Sequence, residues 1–314
     1  MTQKYSVTTE TRDGVEVYIL REGERARAEV APQLGNNCFA FNAPLPVLEE
    51  IAWADFFKKP TSYGIPLLFP YPNRIRDMEF AFQGEKYRVS TPQHGFVRGR
   101  AWQVLEAGAD ENAAWVTSEF TAGADILEQF PFPFRAAVTY RLRDGRLTLD
   151  FTAANTGERA MPCGFGIHPY FRWPETSRLQ VPARQRWELR EQLPTGQRLD
   201  VDAAYDLRQP RDTAGLQLDD IYTEAIADAD GLVRCRLTDE ANGAATVVEF
   251  AAANLPHIVV YTAPAPRRAL CIEPMSCPTD AFNLQARGIA SDMVVLSPGD
   301  SVNWQISVYQ TAKD

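Results

Sequence analysis

The chain has 314 residues, of which 45% are hydrophobic and 23% are charged, a composition typical of soluble globular proteins. Its net charge of −9 argues against a nucleic-acid-binding protein, because phosphate recognition needs a basic surface. No apolar run approaches the length of a membrane-spanning helix, and the N-terminus lacks the hydrophobic region of a signal peptide. We therefore expect a cytoplasmic protein whose partners include neither nucleic acid nor a membrane.

The cysteines and histidines agree with that expectation. The five cysteines are odd in number and contain no Cys-x-x-Cys pair, which favours reduced, buried thiols over a disulfide framework or a zinc site. The three histidines are scattered along the chain. We therefore expect no metal site and no other cofactor.

The N-terminal third predicts strands with one short helix. Residues 15–20 alternate in part between apolar and polar side chains, and residues 28–41 form a second extended region. The apolar spacing over residues 47–57 is compatible with a short helix. Residues 80–89 predict a hairpin that turns at Gln83-Gly84.

Residues 63–75, called the proline segment below, carry three prolines within seven positions. Proline lacks the backbone N–H and fixes its own φ, so this segment is predicted to be irregular and rigid. Such a segment is well suited to hold a side chain still. Arg74 is therefore a candidate ligand-binding group, and a surface salt bridge is the alternative.

The middle and the end of the chain give the clearest strand patterns. Residues 136–142 and 147–153 flank Asp144-Gly145, a strong hairpin signature. Further strands are predicted at residues 232–237, 245–250, 258–262, 269–272 and 302–309. No βαβ alternation and no glycine-rich nucleotide motif follows a strand. The pattern predicts an all-β chain, an antiparallel β-sandwich or barrel that forms one domain over residues 1–314.

The most elaborate local setting of a histidine lies in residues 163–173. Two glycines precede His168, Pro169 follows it, and three aromatic residues stand close by. Proline disfavours helical backbone for the residue before it, so His168 is predicted on extended chain, where the aromatics can wall a small pocket. The alternative is a core histidine that is hydrogen-bonded to backbone.

A carboxylate, Glu273, closes the apolar strand at residues 269–272 and precedes Pro274. Glutamate is rarely buried without a partner. If this one is desolvated, its pKa rises, which makes it a usable base near neutral pH. The alternative is a glutamate exposed at a strand end.

Five short motifs in this order resemble the aldose 1-epimerases, or galactose mutarotases, over roughly residues 60–285. They are Pro72-Asn-Arg-Ile75, Gln93-His-Gly-Phe96, Ile167-His-Pro-Tyr-Phe171, Leu218-Asp-Asp-Ile-Tyr222, and Ile272-Glu-Pro274 with Asp280-Ala-Phe-Asn283. The resemblance implies a large antiparallel β-supersandwich, the galactose mutarotase-like fold, with few short helices and a sugar site in a cleft on one sheet.

The resemblance also implies roles for five residues. Glu273 matches the general base that takes the proton of the anomeric hydroxyl, and His168 matches the general acid that protonates the ring oxygen. Arg74, His94 and Asp219 match groups that hydrogen-bond the sugar; Asp219 is chosen over its neighbour Asp220 because it stands three residues before an aromatic. A histidine near its ordinary pKa of about 6.5 then gives the alkaline limb of the pH profile, and the glutamate gives the acidic limb.

Several alternatives stay open. Asp219 and Glu273 are also suited to be the carboxylate pair of a glycoside hydrolase, and β-sandwiches also serve as non-catalytic sugar-binding domains. A hexose-6-phosphate 1-epimerase would need an anion site, for which Arg98, Arg100 and Arg172 are near the motifs. The motif around Arg74 favours an unphosphorylated hexose such as glucose or galactose. We expect this small aldose as the partner and a monomer or homodimer as the assembly.

Overall fold

In the computed structural model, which describes residues 4–312, almost every regular element is a β-strand, as the sequence predicted. The three α-helices are short: α1 (Trp53–Lys58), α2 (Ala124–Leu127) and α3 (Ala281–Ala286). Four single 3₁₀ turns lie at Pro32–Leu34, Pro60–Ser62, Arg76–Met78 and Val97–Gly99. No helix within the described range is long and apolar enough to cross a membrane.

The strands follow one another along the whole described chain. In chain order they are β1 (Tyr5–Arg12), β2 (Val15–Glu22), β3 (Ala26–Ala31), β4 (Asn37–Asn42), β5 (Leu67–Leu68), β6 (Glu79–Phe82), β7 (Glu85–Arg88), β8 (Gln103–Ala109), β9 (Ala114–Thr121), β10 (Phe134–Arg143), β11 (Arg146–Asn155), β12 (Met161–Cys163), β13 (Gly166–Ile167), β14 (Phe171–Arg172), β15 (Ser177–Gln180), β16 (Ala183–Arg190), β17 (Leu193–Asp200), β18 (Arg211–Asp212), β19 (Asp219–Ala225), β20 (Leu232–Asp239), β21 (Ala244–Ala251), β22 (His257–Thr262), β23 (Ala269–Met275), β24 (Val294–Leu296) and β25 (Ser301–Ala312).

Two large antiparallel sheets dominate the architecture. The nine-stranded sheet has the order β18-β15-β20-β21-β25-β11-β10-β9-β8, and the eight-stranded sheet has the order β17-β16-β19-β22-β23-β13-β5 with β14 also paired to β23. A four-stranded sheet, β1-β2-β3-β4, and the pairs β12-β24 and β6-β7 complete the fold. The all-β antiparallel class is thus confirmed.

The β10–β11 hairpin shows why these sequences form strands. Buried and accessible residues alternate along both strands, and the register runs from Phe134 opposite Asn155 to Arg143 opposite Arg146. Asp144 and Gly145 form the turn with φ of 50° and 73°, the left-handed backbone that tight hairpins require. The predicted hairpin at residues 80–89 is confirmed in the same way, since it turns at Gln83-Gly84 between β6 and β7.

The hydrophobic core lies between the two large sheets and is rich in aromatic rings. Phe151 of β11 stacks on Phe165 with ring centroids 4.1 Å apart, and Phe165 stacks on Trp304 of β25 at 5.4 Å. Phe69 of the proline segment meets Phe134 of β10 edge-on at 5.0 Å. Burial of each such ring stabilises the fold by roughly 1.5–3 kcal/mol. The proline segment is thereby anchored in the core.

The helix predicted over residues 47–57 is only partly present. Its first half is extended, because the Val47 N–H donates to the Phe41 carbonyl and the Glu49 N–H donates to the Tyr170 carbonyl, both at 2.9 Å. Helical structure begins only at Trp53 and ends at Lys58. Pairing with the nearby strand β4 and with the distant strand β14 overrides the helical spacing, and it brings this segment next to Tyr170.

Candidate active site

The main chain of the proline segment joins the motifs that are far apart in the sequence. Its carbonyl groups accept hydrogen bonds from the backbone N–H groups of residues in three other motifs. These bonds run from His94 to Asn73 (2.6 Å), from Phe96 to Phe69 (2.8 Å), from His168 to Pro66 (3.0 Å), from Tyr170 to Gly64 (2.9 Å) and from Asp280 to Arg74 (2.9 Å). The predicted irregular, rigid segment is therefore the scaffold of the site.

One glycine makes the closest of these approaches possible. Gly95 has φ of +65°, and a Cβ at this position would overlap the carbonyl oxygen of Phe69. His94 beside it also has a positive φ of 67°, which is uncommon for a residue with a side chain. Strained backbone of this kind is typical of functional sites, and here it turns the histidine ring toward the pocket.

All five predicted site residues line one polar pocket of about 280 Å³. The pocket residues are Thr61, Ser62, Asn73, Arg74, Gln93, His94, Arg98, His168, Tyr170, Asp219, Val259, Tyr261 and Glu273. A larger groove of about 730 Å³ adjoins it and shares Asp219 and Tyr261. His168, Glu273, Arg74, His94 and Asp219 come together in the smaller pocket.

Glu273 is placed by the alternation of strand β23. Leu270 and Ile272 point into the main core, whereas Cys271 and Glu273 lie on the opposite face, toward the pocket. The strand does not end before Pro274, as the sequence suggested, but continues to Met275. Glu273 is only 1% exposed, so the alternative of an exposed glutamate at a strand end is wrong.

His168 and Glu273 are in direct contact. The Nε2 atom of His168 lies 3.3 Å from Oε1 of Glu273. The other polar atoms of the pair, Nδ1 of the histidine and Oε2 of the glutamate, are buried and have no hydrogen-bond partner among the residues the structure describes. Buried polar atoms are almost always satisfied in cores, and exceptions are typical of catalytic groups.

Aromatic rings hold the imidazole in place. Tyr170 stacks on the His168 ring with centroids 4.6 Å apart and planes 23° apart, and Tyr261 meets it edge-on at 5.9 Å. The guanidinium of Arg267 lies 4.3 Å from the centre of the Tyr170 ring and is itself bonded to the Glu49 carboxylate. This stack fixes the histidine without a hydrogen bond to Nδ1.

Burial shifts the pKa values of the pair in opposite directions. Burial raises the pKa of Glu273 well above its ordinary value; the Asp219 charge adds to the rise and the Arg74 charge opposes it. Burial lowers the pKa of His168 to about 3, and the charges of Arg98 and Arg267 contribute to the fall. The rise for Glu273 was predicted, but the expectation that His168 stays near 6.5 is wrong. Both shifts favour the neutral forms of the pair, a protonated carboxyl group and an unprotonated imidazole.

His94 is oriented as a hydrogen-bond donor. Its Nδ1 accepts a hydrogen bond of 3.2 Å from the Asn73 backbone N–H. Burial, with the nearby His168 ring, lowers the pKa of His94 well below its ordinary value, so the ring is neutral and carries its proton on Nε2. Nε2–H is thus available to a ligand oxygen.

Arg74 and Asp219 both line the pocket. Nη1 of Arg74 donates to Oδ1 of Asn73 at 3.0 Å, and no carboxylate of the described chain forms a salt bridge with this arginine. Asp219 pairs with Tyr261 across β19 and β22, and its Oδ2 accepts a hydrogen bond of 2.8 Å from Gln192. Its neighbour Asp220 lies on the other face of β19, near Arg186.

Sequence reasoning missed several residues of the pocket wall. Val259 and Tyr261 lie on one face of β22, whereas Ile258 and Val260 face the core, so the two-residue period held a usable signal. Arg267 comes from an irregular loop after β22 whose sequence gives no sign of its role. His257, interpreted as structural, is buried between Trp187 and Asp292, with its Nε2 3.0 Å from Oδ2 of Asp292.

The sequence suggested that no residues able to bind a metal lie close together, and this expectation also needs correction. The fold brings ligand atoms of His168, Cys271 and Glu273 within 4.8 Å of one another. A histidine, a cysteine and a carboxylate are all zinc ligands. The two catalytic candidates already contact each other in this cluster, and independence of metal stays a prediction.

Two large antiparallel sheets of this kind form the fold of a class of sugar isomerases. The chain belongs to this class, the aldose 1-epimerase family, because the family model described as aldose 1-epimerase matches residues 18–309.

Individual relatives agree with this membership. The Escherichia coli protein YihR is 27% identical over 260 residues, which cover 79% of each chain. A galactose mutarotase-like protein from Clostridium acetobutylicum superimposes with a TM-score of 0.88 at 20% identity over 98% of both chains. Galactose 1-epimerase from Lactobacillus acidophilus superimposes with a TM-score of 0.80 at 15% identity over 100% of both chains. The two structures show that the galactose mutarotase-like fold is shared.

Proposed function

We propose that the protein interconverts the α and β anomers of a hexose, with His168 and Glu273 as the proton carriers. The observation that carries this proposal is the 3.3 Å contact between the imidazole and the carboxyl group inside a polar pocket. Mutarotation needs one proton removed and one proton donated, and it needs no redox step. A histidine and a glutamate that share one proton meet that requirement without a cofactor.

The reaction leaves the proton count of the pair unchanged. The hydroxyl on C1 loses its proton to one partner while the ring oxygen gains a proton from the other, so the bond from C1 to the ring oxygen breaks and an open aldehyde forms. Rotation about the C1–C2 bond and closure on the other face give the second anomer. In the direction that the family implies, Glu273 is the base and His168 is the acid. That direction requires the resident proton to move first from Oε1 of Glu273 to Nε2 of His168.

Three further residues are proposed to bind the sugar. Arg74 offers a planar fork of donors, His94 offers its Nε2–H, and Asp219 offers carboxylate oxygens, so donors and acceptors converge on one small ligand. The five thiols, all free, support a reducing compartment, which we propose to be the cytoplasm. A monomer or homodimer remains the expected assembly.

Two classes of hexose are candidate substrates. The sequence around Arg74 favours a free hexose such as glucose or galactose. Arg98 instead favours a phosphorylated hexose, because it places a second guanidinium in the pocket.

Polarimetry of freshly dissolved α-D-glucose and α-D-galactose tests the proposal. We expect the protein to speed the approach to equilibrium, and the His168→Gln variant to lose most of this effect. Release of reducing sugar from a glycoside would instead establish a hydrolase that uses Asp219 and Glu273. Binding of sugars without any change in rate would establish a carbohydrate-binding domain.

A further inference from the structure

A free cysteine lies beside the two proposed proton carriers. The alternation of β23 turns Cys271 and Glu273 to the same face of the sheet, and His168 contacts Glu273 there. One ligand atom of each residue (the cysteine sulfur, an imidazole nitrogen and a carboxylate oxygen) lies within 4.8 Å of the other two. Among the residues that the structure describes, this is the one place where three histidine, cysteine or acidic side chains come together so closely.

The polar atoms of this cluster have capacity for a further ligand. Oε2 of Glu273 is buried and has no hydrogen-bond partner within the described part of the chain, although the whole residue is only 1% exposed. Cys271 is a free thiol and is fully buried. Buried polar atoms are normally satisfied, so an unpartnered carboxylate oxygen next to a thiol and an imidazole indicates a site for a bound group.

The spacing of the cluster is close to that of a tetrahedral zinc centre. Zinc ligands stand about 2.0–2.3 Å from the metal, which places them about 3.3–3.6 Å from one another. The separation of 3.3 Å between Nε2 of His168 and Oε1 of Glu273 already fits this range. The other separations reach at most 4.8 Å, so the thiol has to approach by about 1 Å, which a small side-chain rotation achieves.

The ligand types also select the kind of ion. Thiolate, imidazole and carboxylate are the ligands of zinc, whereas magnesium and calcium prefer oxygen alone. A thiolate and a carboxylate neutralise the two charges of a zinc ion, which reduces the cost of burying it. Binding releases to solvent the thiol proton and any proton on the carboxyl group. The polar pocket reaches His168 and Glu273, so it offers the ion an entry path and a water as fourth ligand.

We propose that Cys271, His168 and Glu273 form a binding site for a zinc ion and that occupation of this site inhibits the enzyme. The ion binds both proposed proton carriers, so neither can exchange a proton with the sugar. The inhibition rests on the proposed function, whereas the binding does not. The metal-free protein is the active form.

Titration of the metal-free protein with Co²⁺ tests the binding, because cobalt takes the same ligands as zinc and its absorption reports their geometry and type. We expect the visible bands of a tetrahedral centre together with an ultraviolet thiolate-to-cobalt band. Added Zn²⁺ should remove both, and added Mg²⁺ should remove neither. Absence of the thiolate band from the wild-type protein would overturn the proposal without the need for any variant.

Polarimetry of α-D-glucose and α-D-galactose at rising Zn²⁺ concentrations tests the inhibition. We expect the catalysed exchange of the wild-type protein to fall to the background rate, and Mg²⁺ to have no effect. Cys271→Ala removes the thiol and leaves both proton carriers, so it should stay active without metal. It should need about 10- to 100-fold more zinc for half inhibition, since even the hydrogen-bond partners of metal ligands are worth this much.

Cys235→Ala is the matched control. It removes another buried, free cysteine, which lies on β20 of the nine-stranded sheet. This variant should keep the cobalt spectrum and the zinc sensitivity of the wild-type protein.

The outcomes separate the metal site from the proposed function. If Cys271→Ala shows the cobalt bands and the zinc sensitivity of the wild type, the ion binds elsewhere and the proposal is refuted. Binding of cobalt and zinc without inhibition of an active enzyme would refute the inhibitory role. If the thiolate-to-cobalt band appears but neither sugar exchanges faster than the background, the metal site stands and the proposed function is wrong.

Discussion

At the scale of single residues, the central feature is a contact between two ionisable groups whose pKa values are shifted by burial toward the neutral forms. Burial stabilises the protonated carboxyl of Glu273 and the neutral imidazole of His168. Either group can act as acid or base only in exchange with the other. The pair therefore titrates as one unit, and removal of one member disables both proton transfers.

Variants of the pair test this coupling. His168→Gln and Glu273→Gln should each lower kcat by about 10²–10⁴-fold, the usual worth of a positioned acid or base. The double variant should be little worse than the poorer single variant, because the two residues act in the same step. Polarimetry at saturating sugar gives these values. Multiplication of the two losses would show that the residues serve separate steps.

The pH profile follows from which proton is lost first. The active pair carries one proton. A second proton enters only on His168, whose pKa is about 3, so the acidic limb of kcat/KM lies near that value. The single proton leaves Glu273, whose pKa is raised, so activity falls on the alkaline side as pH rises through that raised value. This order is the reverse of the one expected from the sequence. A polarimetric profile with an alkaline limb near pH 6.5 would restore the original assignment, in which His168 loses the proton on that side.

Asp219 and Asp220 form a matched pair, because they are neighbours on one strand that face opposite ways. Asp219→Ala should raise KM more than it lowers kcat, since a binding group contributes to ground state and transition state alike. The loss in kcat/KM should be about 10- to 100-fold, typical of a charge-assisted hydrogen bond. Asp220→Ala should leave both constants within about twofold. A large loss of kcat with unchanged KM for Asp219→Ala would place this residue among the proton carriers.

At the scale of elements, strands and hairpins were predictable, and the long-range pairings were not. Alternation and the Asp144-Gly145 turn define β10 and β11 locally, so the sequence alone predicts them. The helix expected over residues 47–57 formed only from Trp53 onward, because the Val47 N–H bonds to Phe41 of β4 and the Glu49 N–H bonds to Tyr170, which is distant in the chain. The candidate catalytic residues were found by motif resemblance. Arg267 was not, because its position depends on a contact with Tyr170 that no local pattern encodes.

The proline segment makes a prediction of its own. Gly95→Ala should destabilise the protein by about 3–5 kcal/mol, because the new methyl group overlaps the Phe69 carbonyl in addition to the cost of left-handed backbone. Gly84→Ala is the control: Gly84 has φ of +84° but open space around it, so it should cost only about 1–2 kcal/mol. Urea denaturation of both variants measures the difference. Equal losses would contradict the close packing at Gly95.

At the scale of the whole molecule, all three histidines are expected to weaken the fold in acid. His94, His168 and His257 each have a pKa lowered by burial, so they stay neutral in the native state while the unfolded chain takes up protons below about pH 6.5. Their stabilisation is complete above that pH and is lost as pH falls. Each contributes up to about 1.4 kcal/mol per pH unit. Glu273 acts in the opposite direction, because its raised pKa makes the native state hold a proton that the unfolded chain releases. This effect offsets the contribution of one histidine.

Urea midpoints at pH 7, 6 and 5 measure this dependence. We expect the free energy of unfolding to fall steadily over this range. A constant or rising stability would mean that the histidines are protonated in the native state as well.

The position of β25 has a consequence for how the chain is made. This strand covers Ser301–Ala312, yet it lies in the middle of the nine-stranded sheet, between β11 and β21. During synthesis on the ribosome, the edges of β11 and β21 that pair with β25 stay unpaired until these residues emerge. Exposed strand edges of this kind can pair with the edges of other nascent chains. Loss of the last dozen described residues would leave a chain with every proposed catalytic group present and no closed sheet to hold them.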